Sequence, residues 1–155
     1  MIFLGFYIYF PVVLQGPDLL ENSFHFPVRV YYEDTDAGGV VFYANYLKFF
    51  ERARTEWLRH LGVSQTALAG NDRLIFIVVN TQLRYRSPAR LDDLLAINSR
   101  ITKMGAASVH FEQVAERDGT RLVESQIQVC CVNADTFRPA PIPMPIRQLF
   151  PFVQD

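Results

Sequence analysis

Apolar positions recur along this chain at two periods, and the change of period divides it. Between residues 45 and 61 the apolar side chains are Tyr46, Phe49, Phe50, Ala53, Trp57 and Leu61. Steps of three and four line one face of an α-helix. Lys48, Arg52, Thr55, Glu56 and Arg59 fall largely on the other face, and Gly62 stands where a residue after a helix C-cap belongs. From residue 74 onward the period is two. Residues 74–86 place Val79, Thr81, Leu83 and Tyr85 on one face and Asn80, Gln82, Arg84 and Arg86 on the other. Residues 94–103 align Leu95, Ile97 and Ile101; residues 108–117 align Val109, Phe111 and Ala115. Residues 121–133 align Val123, Ile127, Val129 and Cys131. These are the patterns of half-buried strands.

Met104-Gly105 and Asp118-Gly119 suit hairpin turns between those strands. One more strand, β-branched and aromatic, is predicted over residues 26–32. Five of the nine prolines lie between Pro139 and Pro151, which predicts an irregular tail with at most one helical turn. The order is strand, long helix, then four strands in a meander. It predicts an α+β domain in which one helix lies on one face of an antiparallel sheet of about five strands.

Composition narrows the class. With 155 residues the prior is one domain with its own core. Fifteen basic against 16 acidic residues give a net charge of −1, which argues against a surface built for nucleic acid. Half the residues are hydrophobic, which excludes a disordered chain. The adjacent Cys130 and Cys131 point to opposite faces of a strand. They suit buried thiols in a reducing compartment, which predicts the cytoplasm. Residues 1–14 carry no charge, lack the basic start of a signal peptide and are broken by Pro11. An ordered arm, an upstream start codon read through, a membrane-surface anchor and a targeting signal all remain open for this stretch, so membrane contact stays undecided. Gly16-Pro17-Asp18 reads as a turn. The predicted organisation is an N-terminal extension over 1–25, a domain over 26–141 and a C-terminal tail over 142–155.

Chemistry concentrates in the loop before the helix, Glu33-Asp34-Thr35-Asp36-Ala37-Gly38-Gly39. Acidic residues there either offset the helix dipole or act on a substrate that the glycines allow close to the backbone. An EF-hand is excluded, because the twelfth residue from Asp34 is Asn45 rather than Glu. Three scattered histidines, His25, His60 and His110, and two neighbouring cysteines do not supply zinc spacing, and no Gly-Lys-Ser/Thr follows the glycines. No cofactor or metal is expected.

The run from Arg29 through Tyr32-Glu33-Asp34-Thr35-Asp36-Ala37-Gly38-Gly39-Val40-Val41, then Ala44-Asn45-Tyr46 and Glu51-Arg52-Ala53-Arg54-Thr55-Glu56, resembles the active-site signature of the 4-hydroxybenzoyl-CoA thioesterase family. Together with Ser87-Pro88-Ala89-Arg90-Leu91-Asp92-Asp93, the match is closest to its Tol–Pal-associated branch of acyl-CoA thioesterases. The resemblance spans residues 26–141. It implies the hotdog fold, a homodimer or homotetramer, and an active site at a subunit interface. It makes Asp36 the catalytic carboxylate, as general base or as nucleophile, and gives the backbone N–H of Tyr43 the thioester oxygen. The Tol–Pal branch carries His where this chain has Tyr43, whereas the aryl-CoA branch carries Tyr. The backbone role is unaffected by that difference, and the choice between aliphatic and aromatic acyl groups stays open.

The resemblance also implies that Tyr32, Gly39, Val41 and Tyr46 border the substrate. Arg84, Arg86, Arg90, Arg100 and Lys103 are candidates for the phosphates of coenzyme A, with Arg86, Arg90 and Lys103 preferred. Glu51 is a possible second carboxylate, as some hotdog thioesterases place theirs on the central helix. Three functions compete. The first is hydrolysis of acyl-CoA to a free acid and coenzyme A. A hydratase would need a His paired with an acid, and no His lies in the motif. A low-activity interaction module binding acyl-carrier protein or phospholipid-synthesis enzymes near the Tol–Pal system is the third.

Overall fold

A computed structural model of the protein describes residues 22–150. The apolar stretch of residues 1–14 and the turn at Gly16-Pro17-Asp18 lie outside the described residues. Five strands form one sheet: β1 (Ser23–Arg29), β2 (Leu74–Tyr85), β3 (Leu94–Met104), β4 (Ser108–Arg117) and β5 (Thr120–Asn133). Their order is β1-β3-β4-β5-β2, and every neighbouring pair is antiparallel. The long helix α1 (Asn45–His60) packs on one face. It ends at His60, one residue short of the predicted span, and Gly62, just past the Leu61 cap, takes a positive φ of 81°.

The α1 stripe is buried as its spacing demands. Tyr46, Phe49, Phe50 and Ala53 cluster with Leu95, Ile97, Ala115, Val123 and Ile127 from the alternating positions of β3, β4 and β5, and Trp57 clusters with Ile101, Val109 and Cys131 of the same strands. Each fully buried side chain of that size contributes about 1.5–3 kcal/mol. The aromatic stripe is therefore what pins α1 to the sheet, and with it the loop that leads into α1.

The predicted four-strand meander holds only for β3, β4 and β5, because β2 pairs with β5 at the sheet edge and β1 takes the place beside β3. Three further details depart from the sequence expectation. First, β1 runs over Ser23–Arg29 rather than residues 26–32, because its register is set by β3, with Ser23 opposite Arg100 and Arg29 opposite Leu94. Tyr32–Asp34 instead forms one 3-10 turn. Second, a bulge between Val78 and Asn80 shifts the β2 register. Val78 and Val79 are both exposed there, on a strand that forms the sheet edge. Third, Gln113, polar and fully buried, interrupts the apolar face of β4. The tail contributes one helical turn, Met144–Arg147, with Ile142 and Ile146 buried against the sheet. Cys131 is buried, Cys130 is half-buried, and both thiols are free.

Candidate active site

The acidic loop is a closed structure. Thr35 and Val41 form an isolated antiparallel bridge. Inside it, the Asp36 N–H donates to Val40 O at 2.9 Å and the Gly39 N–H donates to Asp36 O at 3.0 Å. Gly39 carries a φ of 73°, a conformation that costs a side-chain-bearing residue about 1–2 kcal/mol. Just outside the bridge, the Phe42 N–H donates to Asp34 O at 2.8 Å, and the buried Asn45 side chain donates to the same oxygen at 2.9 Å. The loop therefore folds back on the start of α1. Asp36, next to one end of the bridge, and Tyr43, two residues beyond the other, are held in one neighbourhood.

The three carboxylates divide their tasks. Asp34 is buried, and its Oδ2 accepts the Tyr31 N–H at 2.9 Å, which holds the 3-10 turn. Glu33 is exposed. Asp36 is also exposed, and its Oδ1 accepts the Gly38 N–H at 2.8 Å. That bond orients the carboxylate while leaving Oδ2 without a partner among the described residues.

None of these acids caps α1. Ala44, the residue before the helix, has no side-chain oxygen to offer, and no acidic side chain stands in the first turn. The Tyr43 N–H has no acceptor among the described residues. Open N–H groups at a helix start carry the positive end of its dipole and suit a developing negative charge. The closed loop thus carries a free carboxylate oxygen on Asp36, and the helix start an unoccupied donor on Tyr43.

Other predicted positions are distributed. Tyr43 is 63% exposed and Tyr32 lies wholly at the surface, whereas Tyr46 is 2% exposed. The Tyr46 hydroxyl accepts the Ala89 N–H at 3.1 Å, and buried Val41 donates to Ala89 O at 2.9 Å. Val41 and Tyr46 thus tie the loop and α1 to the segment before β3. Burial raises the Tyr46 pKa, although the Ala89 N–H opposes it. Arg86 pairs with Glu124 at 2.8 Å. With Arg84 and Arg121, both residues line an open groove on the sheet. Arg90 and Lys103 do not line that groove. Arg100 is paired with Glu112 at 3.0 Å. Glu51 lies farther along α1, where its Oε1 accepts the Thr55 hydroxyl at 2.7 Å.

Two contributors are not among the site residues that the sequence predicts. Tyr85, an alternating strand position, reaches the Tyr43 carbonyl with its hydroxyl at 3.0 Å. Asn45 holds Asp34 O, and its place in the Ala44-Asn45-Tyr46 part of the motif, at the helix start, is the signal that could have found it. No group of three or more His, Cys, Asp or Glu side chains suited to a metal occurs among the described residues. No helix among them is long and apolar enough to cross a membrane.

A sequence model of the thioesterase-like superfamily matches residues 30–150. A Haemophilus influenzae protein named acyl-CoA thioesterase YbgC is 43% identical over 132 residues, covering 85% of this chain and 97% of the relative. An Escherichia coli protein named acyl-CoA thioester hydrolase YbgC is 48% identical over 124 residues, covering 79% and 92%. A solved structure of a probable thioesterase from Bartonella henselae superposes with a TM-score of 0.75 at 36% identity, covering 78% of this chain and 99% of the other.

Proposed function

The chain belongs to the thioesterase-like superfamily, with its hotdog fold, and from that membership we propose how it works as a thioester hydrolase that cleaves acyl-CoA to a free acid and coenzyme A. The relatives named acyl-CoA thioesterases support the substrate class. The observation that carries the mechanism is that one loop, closed by the Thr35–Val41 bridge, carries both the free Oδ2 of Asp36 and the unoccupied Tyr43 N–H. In this reading the thioester carbonyl oxygen takes the Tyr43 N–H at the positive end of α1, and Asp36 acts on the carbonyl carbon. Asp36 either takes a proton from the attacking water or attacks directly and forms an anhydride that water then opens. Both routes release coenzyme A as the leaving thiol. Gly39 lets the loop turn, Tyr32 borders the site at the surface, and Val41 and Tyr46 hold its frame from the core. Arg86, Arg90 and Lys103 supply positive charge toward the phosphates of coenzyme A.

A homo-oligomer completes this picture. The edge strand β2 exposes Val78 and Val79, and Phe42, Tyr43 and Tyr85 form an exposed aromatic group beside the site. Apolar surface of this kind marks an interface. A homodimer or homotetramer in the cytoplasm, working near the Tol–Pal system, is the reading that fits.

The deciding experiment is steady-state hydrolysis of aliphatic and aromatic acyl-CoAs by wild type and Asp36→Asn, with the oligomer mass measured by light scattering. The variant is expected to lose roughly 100-fold or more in kcat. Undiminished turnover would remove Asp36 from the mechanism. Capture of acyl-carrier protein with no turnover on any acyl-CoA would favour the interaction module instead.

A further inference from the structure

A second feature lies along α1, beyond its first turns. Between the middle of the helix and β2, β4 and β5 is a cavity of about 120 Å³. Its walls are apolar, with Phe76, Val109, Phe111 and Val129 on the sheet side. One cation is set into them. Arg54 is half-buried, its guanidinium carbon stands 5.9 Å from the centre of the Phe111 ring, and its Nη1 donates to Gln113 Oε1 at 2.7 Å. Gln113 is neutral and committed, since its Nε2 donates to Phe50 O at 3.0 Å and to the Ser99 hydroxyl at 2.8 Å. Among the described residues no carboxylate oxygen lies within 4 Å of Arg54, and its remaining N–H groups have no acceptor.

Glu51 is the acid that faces the same cavity, and it is engaged elsewhere. Its Oε1 accepts the Thr55 hydroxyl at 2.7 Å, and the Thr55 oxygen accepts Gln65 Nε2 at 3.2 Å. It acts on Arg54 only through space. A guanidinium withdrawn from water is costly unless a well-placed anion compensates it. Burial holds Arg54 down to about 10, against the weaker upward pull of Glu51. An amide oxygen and a ring face are weaker partners than a bidentate carboxylate.

We propose that this cavity binds a small monocarboxylic acid, its carboxylate on the free N–H groups of Arg54 and its short apolar tail among Phe76, Val109, Phe111 and Val129. The volume sets the tail length. An apolar cavity of roughly 150 Å³ holds a benzene ring, so this one suits an acid of about four or five carbons in all, the carboxylate included. Glu51 selects against a second negative charge. The site uses neither Asp36 nor a thioester, so it stands apart from the hydrolase mechanism. It makes free short acids ligands of the enzyme in their own right.

Trp57, the one tryptophan of the chain, reports occupancy. Its ring lies 6.2 Å from Phe111 and 5.8 Å from Phe150, both of which line the cavity. The full chain is titrated without acyl-CoA, using butyrate, butyramide, succinate and octanoate, while Trp57 emission is followed. Butyrate is expected to change the emission saturably at millimolar concentration. Butyramide, succinate and octanoate are expected to bind roughly tenfold or more weakly. Arg54→Met is expected to lose butyrate binding by a similar factor, and Arg54→Lys to regain part of it. Asp36→Asn is expected to bind butyrate as wild type does, which separates this site from the catalytic reading. Equal binding of butyrate and butyramide by wild type overturns the proposal, and that comparison needs no variant to fold. Failure of every acid to saturate, as when a second copy fills the cavity, overturns it too.

Discussion

The Tyr85 hydroxyl donates to the Tyr43 carbonyl oxygen at 3.0 Å, so the end of the edge strand grips the entry to α1. The two rings meet edge to face with centroids 6.5 Å apart. The Tyr43 carbonyl and the Tyr43 N–H belong to planar peptide units hinged at one Cα, so holding the first restricts the second. Burial raises the Tyr85 pKa, and the neighbouring Tyr43 adds to the rise, so the hydroxyl remains a donor through the neutral range.

Tyr85→Phe removes this grip and keeps the ring. The expected result is a fall in kcat of about tenfold with little change in KM, and a stability loss of about 0.5–1.5 kcal/mol. Steady-state kinetics on an acyl-CoA, paired with urea unfolding, checks it. Wild-type kcat in this variant would show that the sheet does not position the Tyr43 amide.

The two glycines of the loop should behave differently. A Cβ at Gly39 meets nothing within 4 Å, but the φ of 73° strains any other residue. Gly39→Ala is expected to cost about 1–2 kcal/mol in stability. A Cβ at Gly38 would stand 3.0 Å from Asp36 Oδ1 and press on the carboxylate itself. Gly38→Ala is expected to leave the melting temperature nearly unchanged while lowering kcat several-fold, because about 1 kcal/mol of misplacement is worth that much rate. Melting curves and turnover for the two variants together distinguish strain from displacement.

The regular parts of this fold were legible because each is dictated locally. The three-and-four spacing from Tyr46 to Trp57 is buried as predicted, and the strand alternation from Leu95 to Cys131 sets the sheet face that receives it. What was missed is set by distant partners. β1 begins at Ser23 because β3 offers it a partner there, and the β2 face changes at a bulge against β5. Tyr46 belongs to the apolar stripe and to the motif at once; the structure puts it in the core, on Ala89. The acidic loop was legible as a motif, whereas the hold of Tyr85 on its exit came from a strand more than forty positions away. No spacing rule encodes such a contact.

Gln113 anchors a buried polar group under α1, where it joins Arg54, Phe50 O and Ser99. Gln113→Leu keeps much of the volume and strips Arg54 of its acceptor. Leaving buried polar groups unpaired costs about 1–3 kcal/mol for neutral partners and more for a charge. The expected loss is about 3 kcal/mol, or roughly 6–12 °C in melting temperature for a chain of this size. Calorimetry reads it directly. A loss below about 1 kcal/mol would mean that Arg54 finds water or another acceptor when Gln113 is gone.

The acid limb of the stability curve should carry the mark of Asp93. Its Oδ2 accepts the Arg90 N–H at 2.8 Å and Arg117 Nη1 at 2.6 Å, while its backbone oxygen accepts the Val30 N–H at 2.9 Å. Burial alone would raise this carboxyl, but the Arg90 N–H and the Arg117 guanidinium together outweigh it and leave the pKa below the ordinary aspartate value. A folded-state pKa below the unfolded value of about 3.9 means that the charged form stabilises the fold. That contribution is present in full above the unfolded value and is lost as pH falls through the folded one. At pH 7, Asp93→Asn is therefore expected to be less stable than wild type by about 1 kcal/mol. The difference should shrink steadily below about pH 4, where wild type protonates the same group. Urea unfolding of both proteins from pH 7 down to about pH 3 tests this. A stability difference that stays constant across the range would place the origin of the effect in packing rather than in the charge on Asp93.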